Sequence, residues 1–427
     1  MQYKVSHRRR DTQFTASRMI HLDDELKNIP VSLCIRCKGS KLLCGKSACP
    51  IVAKAYLTQG ISLEVNDVSG DSPPSIFVGQ FGYPKVRIGP ALPVRRGDTS
   101  IYERPDQWGR LTLDQIAKLR FSLYRGYKIL PISSPSDPNN YLLELHDLIL
   151  SSRPVFSEIE YSSTERKIDF SAESQPFGPG GYAKNFYHES SPSHPNLEKV
   201  YYDTDLKTVD ALKLLYSETS IYAIEKVFSA GMLGKTKNRK IVPTRWSITA
   251  VDKTLSDQLI PFVRNCAEVE GNVYFHFKRI GNEYYILIVP GDYSFEMIEL
   301  WNNGSIWAGP RESSAEGDYE KPGRMVVNPR IAGAFFAAKL PILDYLKKKE
   351  KKGNILVFRF VDGDYTIPLG VWQVRENVKI ALRAENYLDS IDQFFDIIKI
   401  RRKVDLRANS KTYQIIKRQR KITEYVK

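Results

Sequence analysis

The chain has 427 residues, enough for about two to three domains and for a buried core without disulfide support. It is 42% hydrophobic and 26% charged, which excludes disorder of the whole chain, and its five cysteines exclude a disulfide scaffold. Lys and Arg number 63 against 49 Asp and Glu, and the resulting +14 favours an anionic partner, either nucleic acid or an anionic membrane surface.

No apolar run reaches the roughly 20 residues of a membrane span, and residues 1–10 are basic without the apolar stretch of a secretory signal. A cytoplasmic, nucleoid-associated location is expected. The first 33 residues are polar, and a cysteine cluster follows. Residues 69–110 are dense in Gly, Pro and aromatics, which marks turns and short strands, with strands predicted at 76–78 and 85–88. Helices are predicted at 112–124, where Leu113, Ile116 and Leu119 share a face, and at 141–150. The stretch 157–195 is the least regular and reads as a long functional loop around Pro176-Phe177-Gly178-Pro179-Gly180-Gly181.

Helical spacing returns at 205–217 through Leu206, Val209, Leu212 and Leu215, with Asp205 as a candidate cap, and a further helix covers 221–228. Aromatic and β-branched runs at 272–278 and 283–289, joined at Gly281-Asn282, predict a hairpin. A second region starts near Gly291. It holds a strand at 295–301, a helix at 330–348 kinked or split by Pro341, a strand at 354–361, and helices at 371–384 and 391–400. Helices and strands do not alternate strictly, so the class is α+β. The expected divisions are an N-terminal segment with a four-cysteine zinc module (1–55), a main α+β domain with a mixed sheet (56–290), a smaller α/β region (291–400) and a flexible basic tail (401–427).

The basic excess is concentrated at the end. Residues 399–427 hold eleven basic side chains and two acidic ones. Such a tail neutralises phosphates without regard to sequence. Within it, Gln419, Ile422 and Tyr425, followed by Val426, have the spacing of a sliding-clamp-binding peptide. One tight helical turn puts Ile422 and Tyr425 on one side as an apolar plug, with the Gln419 amide beside it. Val426 stands where a second aromatic is usual.

Cys34, Cys37, Cys44 and Cys49 lie within sixteen residues, and four thiolates close tetrahedrally on one zinc ion. A closed shell leaves no open position, so the zinc would be structural; an iron–sulfur cluster is the alternative. Lys235, Lys237, Arg239, Lys240 and Arg245 are candidate phosphate contacts, with Trp246 placed for base stacking; the competing reading is a solvated loop leading to a buried Trp. A third group offers catalysis. Asp203, Asp205 and Asp252 are candidates for holding Mg or Mn or for acid–base work, His188 for a base, and Arg245 for a phosphate clamp. Asp205 as a helix cap explains part of that pattern equally well. No Walker A loop, dinucleotide fingerprint, zincin motif or nucleophile elbow is present.

Four blocks together resemble the Nre family of archaeal DNA repair proteins. They are Cys34-Ile35-Arg36-Cys37 with Cys44-Gly45-Lys46 and Cys49-Pro50; Ser72-Pro73-Pro74-Ser75 with Gly82-Tyr83-Pro84-Lys85-Val86; Val242 through Asp252; and Gln419 through Val426. The resemblance implies a role in the DNA damage response, an N-terminal zinc-finger-like segment and a C-terminal peptide for the sliding clamp PCNA. It carries over no catalytic residues. The preferred expectation is a DNA-binding repair factor recruited by PCNA. The alternatives are a metal-dependent nuclease or other DNA-modifying enzyme, and an RNA-binding or ribosome-associated zinc protein.

Overall fold

The computed structural model describes residues 28–37, 43–46, 49, 51, 67–165, 178–308, 313–326 and 328–418. Two six-stranded mixed sheets with helices between and around them confirm the α+β class. The first sheet contains β1 (Val68–Ser72), β2 (Ile76–Val78), β3 (Lys85–Pro93), β4 (Leu123–Pro131), β5 (Val155–Glu165) and β6 (Gly180–His188), in the order β1-β5-β6-β4-β3-β2. Only β4 and β6 run parallel; the other neighbours are antiparallel.

β5 and β6 correct the expected loop at 157–195. Residues 157–165 and 180–188 of that stretch form an antiparallel pair, and residues 166–177 lie outside the described residues. The Gly and Pro residues at 178–181 do not exclude a strand, because Gly178 and Gly180 permit close backbone approach. A Cβ on Gly178 would lie 2.1 Å from the Phe121 carbonyl oxygen, and one on Gly180 2.5 Å from that of Arg125.

Between these strands, α1 (Val31–Cys37) precedes the sheet, and α2 (Leu113–Phe121) and α3 (Asn140–Leu150) pack on it. α2 starts at a capping box in which Thr112 and Gln115 satisfy each other's backbone amides. The Asn139 side chain caps α3 by accepting from Leu142 N. Then come α4 (Pro195–Tyr202), α5 (Thr208–Glu218), α6 (Ile221–Ser229) and α7 (Thr244–Arg264). Lys207, not Asp205, occupies the residue before α5.

α7 is the largest element the sequence reading missed. Its Ser, Thr, Lys and Asp content and Pro261 mask the apolar positions Ile248, Val251, Leu255, Leu259 and Val263, all buried.

The second sheet contains β8 (Asn272–Arg279), β9 (Asn282–Val289), β10 (Ser294–Trp301), β11 (Ser314–Glu320), β13 (Asn354–Val361) and β14 (Asn386–Leu388), in the order β11-β10-β13-β9-β8-β14; short β7 (Ala267–Glu268) and β12 (Lys351–Lys352) pair beside it. The hairpin turns at Ile280 and Gly281, both with positive φ (47° and 61°), one residue earlier than predicted. β9 and β13 are adjacent in the ladder, so Gly291 falls inside one sheet rather than between two units.

All eight residues of β9 and of β10 are buried, because both faces are covered. Ile286, Ile288, Phe295 and Met297 face α8 (Ala332–Lys349) and α9 (Trp372–Ala381). Tyr285, Leu287, Ile298 and Leu300 face α10 (Ile391–Arg402), where Phe394 and Phe395 are fully buried as expected. Pro341 leaves α8 in one piece, and Lys347, Lys348 and Lys349 occupy its last turn, where cations suit the helix dipole.

The tail departs from expectation up to Arg418. Residues 403–418 fold back, and α11 (Lys411–Arg418) sits on the second sheet. Glu296 of β10 caps it: its carboxylate accepts from Ser410 Oγ at 2.7 Å, Lys411 N at 2.7 Å and Thr412 N at 2.9 Å. The cations are answered by acids of the body and by Asp405 of the tail itself. Arg402 pairs with Asp362 and Glu283, Arg407 with Asp396 and Asp405, and Lys417 with Asp392. Glu296→Ala is expected to remove about 1–3 kcal/mol of local stability. Hydrogen exchange would show faster amides across α11 with those of β10 unchanged; equal protection in α11 would refute the capping role.

Candidate functional site: a basic aromatic edge above buried ion pairs

Three blocks distant in sequence meet at the β2–β3 edge of the first sheet. Val78 N donates to Thr244 Oγ1 at 2.8 Å, joining β2 to the start of α7. The Tyr83 and Trp246 rings lie 5.2 Å apart at 52°. Ile132 N donates to Pro84 O at 2.9 Å, and Ile241 N to Ile132 O at 2.8 Å. Those two bonds set Lys85 and Lys240 on the same rim, and both side chains are exposed. Below the rim, Lys226 Nζ donates to Pro74 O at 3.0 Å.

Trp246 is 43% exposed, so the expectation of a buried Trp at the end of a basic loop does not hold. It lies in the first turn of α7. Arg245 beside it is mostly covered, and burial pushes its guanidinium down to about 10 against an opposing influence from Cys37. Cys37 therefore lies close to this edge. Lys235 and Lys237 are exposed with Lys240. Arg239 is not available as a phosphate contact. It is 7% exposed and donates to the carbonyls of Gly234 (2.8 Å) and Tyr201 (2.6 Å), holding the loop to α4.

Under the edge, Glu103, Tyr222, Glu225, Lys226, Thr244 and Ile248 line a small cleft. Its floor is charged. Glu103 pairs with Arg120 and, at 3.1 Å, with Lys226. Burial opposes ionisation of Glu103, but the two cations outweigh it and hold the carboxyl below its usual range. Arg375 of α9 reaches Asp252 at 2.8 Å and Glu225 at 2.5 Å, all three deeply buried. Burial raises Glu225 to about 7 against the pull of Arg375.

Asp252 is thus an ion-pair partner joining α7 to α9, sealed from solvent, rather than a metal ligand or acid–base group. The other catalytic candidates are not assembled either. His188 ends β6, buried, with Nδ1 donating to Glu189 O at 3.0 Å and Nε2 3.2 Å from Glu144. Asp203 accepts from the amides of Asp205 (3.1 Å) and Leu206 (2.9 Å), forming a turn. Asp205 is exposed. Among the described residues no three His, Cys, Asp or Glu side chains come together as a metal site.

Cys34 and Cys37 are buried, one turn apart in α1, while Cys44 and Cys49 are half-buried. This all-thiol donor set suits zinc chemically. The clamp-type residues Gln419, Ile422, Tyr425 and Val426 lie outside the described residues. The sequence reading missed Tyr83 as a partner of Trp246. Its signal was present in the Gly82-Tyr83-Pro84-Lys85 block, but only the fold brings it to α7.

The family model described as "Archaeal Nre, N-terminal" matches residues 43–308, and "Archaeal Nre, C-terminal" matches residues 320–425. The chain is 35% identical over 356 residues to "DNA repair protein NreA" of Archaeoglobus fulgidus, covering 82% of this chain and 89% of that protein. It is 33% identical to "DNA repair protein NreB" of the same organism (81% and 87% covered) and 34% identical to "DNA repair protein NreA" of Haloferax volcanii (74% and 80% covered). No solved structure matches. Among the described residues no helix is long and apolar enough to cross a membrane.

Proposed function

The chain belongs to the archaeal Nre family, and from that premise we propose that it is a DNA repair factor that binds DNA and is recruited to PCNA. The observation that carries the DNA reading is the meeting of Tyr83 in the Gly82–Val86 block with Trp246 in the Val242–Asp252 block on a solvent-facing edge rimmed by Lys85 and Lys240, with exposed Lys235 and Lys237 in the loop that leads to Lys240. Lysines on such a rim neutralise phosphates and release counterions, a salt-dependent source of affinity. Cys34, Cys37, Cys44 and Cys49 would hold a structural zinc, which fixes the segment next to Arg245 and supplies no catalytic step. The location would be cytoplasmic, at the nucleoid.

Recruitment would run through Gln419, Ile422, Tyr425 and Val426. α11, anchored by Glu296, precedes these residues directly in the chain, and tethering by them would raise the local concentration of the edge at the clamp. The test is titration of PCNA with the full chain, with a chain ending at Arg418, and with Tyr425→Ala. Both variants should lose clamp binding and keep the melting temperature and DNA affinity of the parent. Clamp binding retained by the chain ending at Arg418 would refute the assignment.

A further inference from the structure

We propose that Phe81, Tyr83 and Trp246 form a stacking platform for unpaired bases, so that this edge takes single-stranded DNA in preference to duplex. The inference rests on the DNA-binding reading above and adds the class of DNA. Phe81 is 57% exposed, Tyr83 51% and Trp246 43%. The other four tryptophans, Trp108, Trp301, Trp307 and Trp372, are at most 2% exposed, so a solvent-facing indole is exceptional in this chain.

The aromatics are held, not loose. Lys85 N donates to Gly82 O at 2.9 Å to close the turn that carries Phe81 and Tyr83. Gly82 has φ of 87°, and a Cβ there would lie 2.8 Å from Lys85 O. Trp246 is fixed at the other side by the first turn of a 21-residue helix. The 52° tilt between Tyr83 and Trp246 means that neither ring covers the other's face in parallel, so π-faces remain open to a base.

Exposed aromatics also serve protein partners; the charge decides between the two. Residues 72–97, 115–136 and 226–251, which supply the edge and its support, contain fourteen Lys and Arg, and the acids Asp71, Asp98, Asp114, Asp137, Glu225 and Asp252 flank them. Arg120, Lys226 and Arg239 are engaged inside and Arg96 pairs with Asp71, whereas Lys85 and Lys240 face solvent on the rim and Lys235 and Lys237 face solvent in the loop that leads to Lys240. Exposed aromatic faces beside solvent-facing lysines suit a polyanion carrying exposed flat bases. In duplex the base faces are stacked on each other, so only the phosphates remain for this edge to hold.

The experiment measures binding of the full chain to a single-stranded oligonucleotide and to its duplex by anisotropy at several salt concentrations. Intrinsic fluorescence is recorded in parallel, because Trp246 is the exposed indole. Single strands should bind more tightly and quench that emission. Tyr83→Ala and Trp246→Ala should each weaken single-strand binding about tenfold and leave duplex binding nearly unchanged. Trp246→Phe should recover much of the loss. Replacing Lys235, Lys237 and Lys240 by Gln should flatten the salt dependence by roughly 0.7 for each phosphate left without its lysine. Equal binding of both DNA forms with no effect of the aromatic variants would overturn the platform while leaving DNA binding intact. Absence of binding to either form would overturn both.

Discussion

Arg375→Met is expected to destabilise the protein by about 3–5 kcal/mol near neutral pH. The cost comes from what is left behind. Arg375 is fully buried and answers two carboxylates, Asp252 and Glu225, which are themselves at most 7% exposed. Without the guanidinium, both anions would sit uncompensated where burial already pushes them toward the neutral form. The penalty should therefore depend on pH. A buried carboxyl with a raised folded pKa is stable when protonated, so its contribution is present below the unfolded value and lost as pH rises through the folded one. The difference between Arg375→Met and the parent should be larger at about pH 8 than at about pH 5. Adding Asp252→Asn and Glu225→Gln should restore part of the loss. Urea denaturation at both pH values checks this; a loss under about 1 kcal/mol, the same at both, would mean that the triad is not an isolated buried unit.

The parent should itself lose about 3 kcal/mol from one histidine as pH falls from about 6.5 to about 4. His146 of α3 is 2% exposed, with Nε2 at 3.1 Å from Ala230 O and Nδ1 at 3.1 Å from Tyr201 Oη. The ring donates from Nε2 and accepts at Nδ1, so the neutral form is fully satisfied. Burial pushes its pKa down to about 4, aided by nearby Arg239 and opposed by the Ala230 carbonyl. The folded state resists a proton that the unfolded chain takes up near 6.5. This stability is present above that value and disappears as pH falls toward the folded one. His146→Gln keeps a donor and an acceptor but does not titrate, so its stability should vary less between about pH 7 and about pH 4.5. Parallel pH profiles for parent and variant would refute the assignment. Glu283, held down to about 2 by His276, Tyr285 and Arg402 against the effect of burial, acts in a more acidic window.

Much of the architecture is legible from spacing. The helices α3, α6, α8 and α10, the β8–β9 hairpin and the buried strands β10 and β13 follow from local apolar periodicity, which records burial one residue at a time. The same holds for the family, because its identifying blocks are contiguous runs such as Val242 through Asp252. The sequence alone also determined the four-cysteine spacing and the peptide at Gln419.

Tertiary structure decided the rest, for reasons that local pattern does not contain. The polar spacing of α7 carries no clear helical signal until β2, α6, α8 and α9 are present to bury Ile248, Val251 and Asp252. The basic run after Lys399 looks like a free arm until Glu283, Asp362 and Asp392 meet it from earlier elements. Asp252 looks like a candidate acid until Arg375, 123 residues away, is found beside it. Tyr83 gains meaning only when a sheet edge brings it to Trp246. Apolar periodicity is written along the chain, whereas the partner of a charge or an aromatic face is chosen by folding, and at this edge those partners set what the surface can bind.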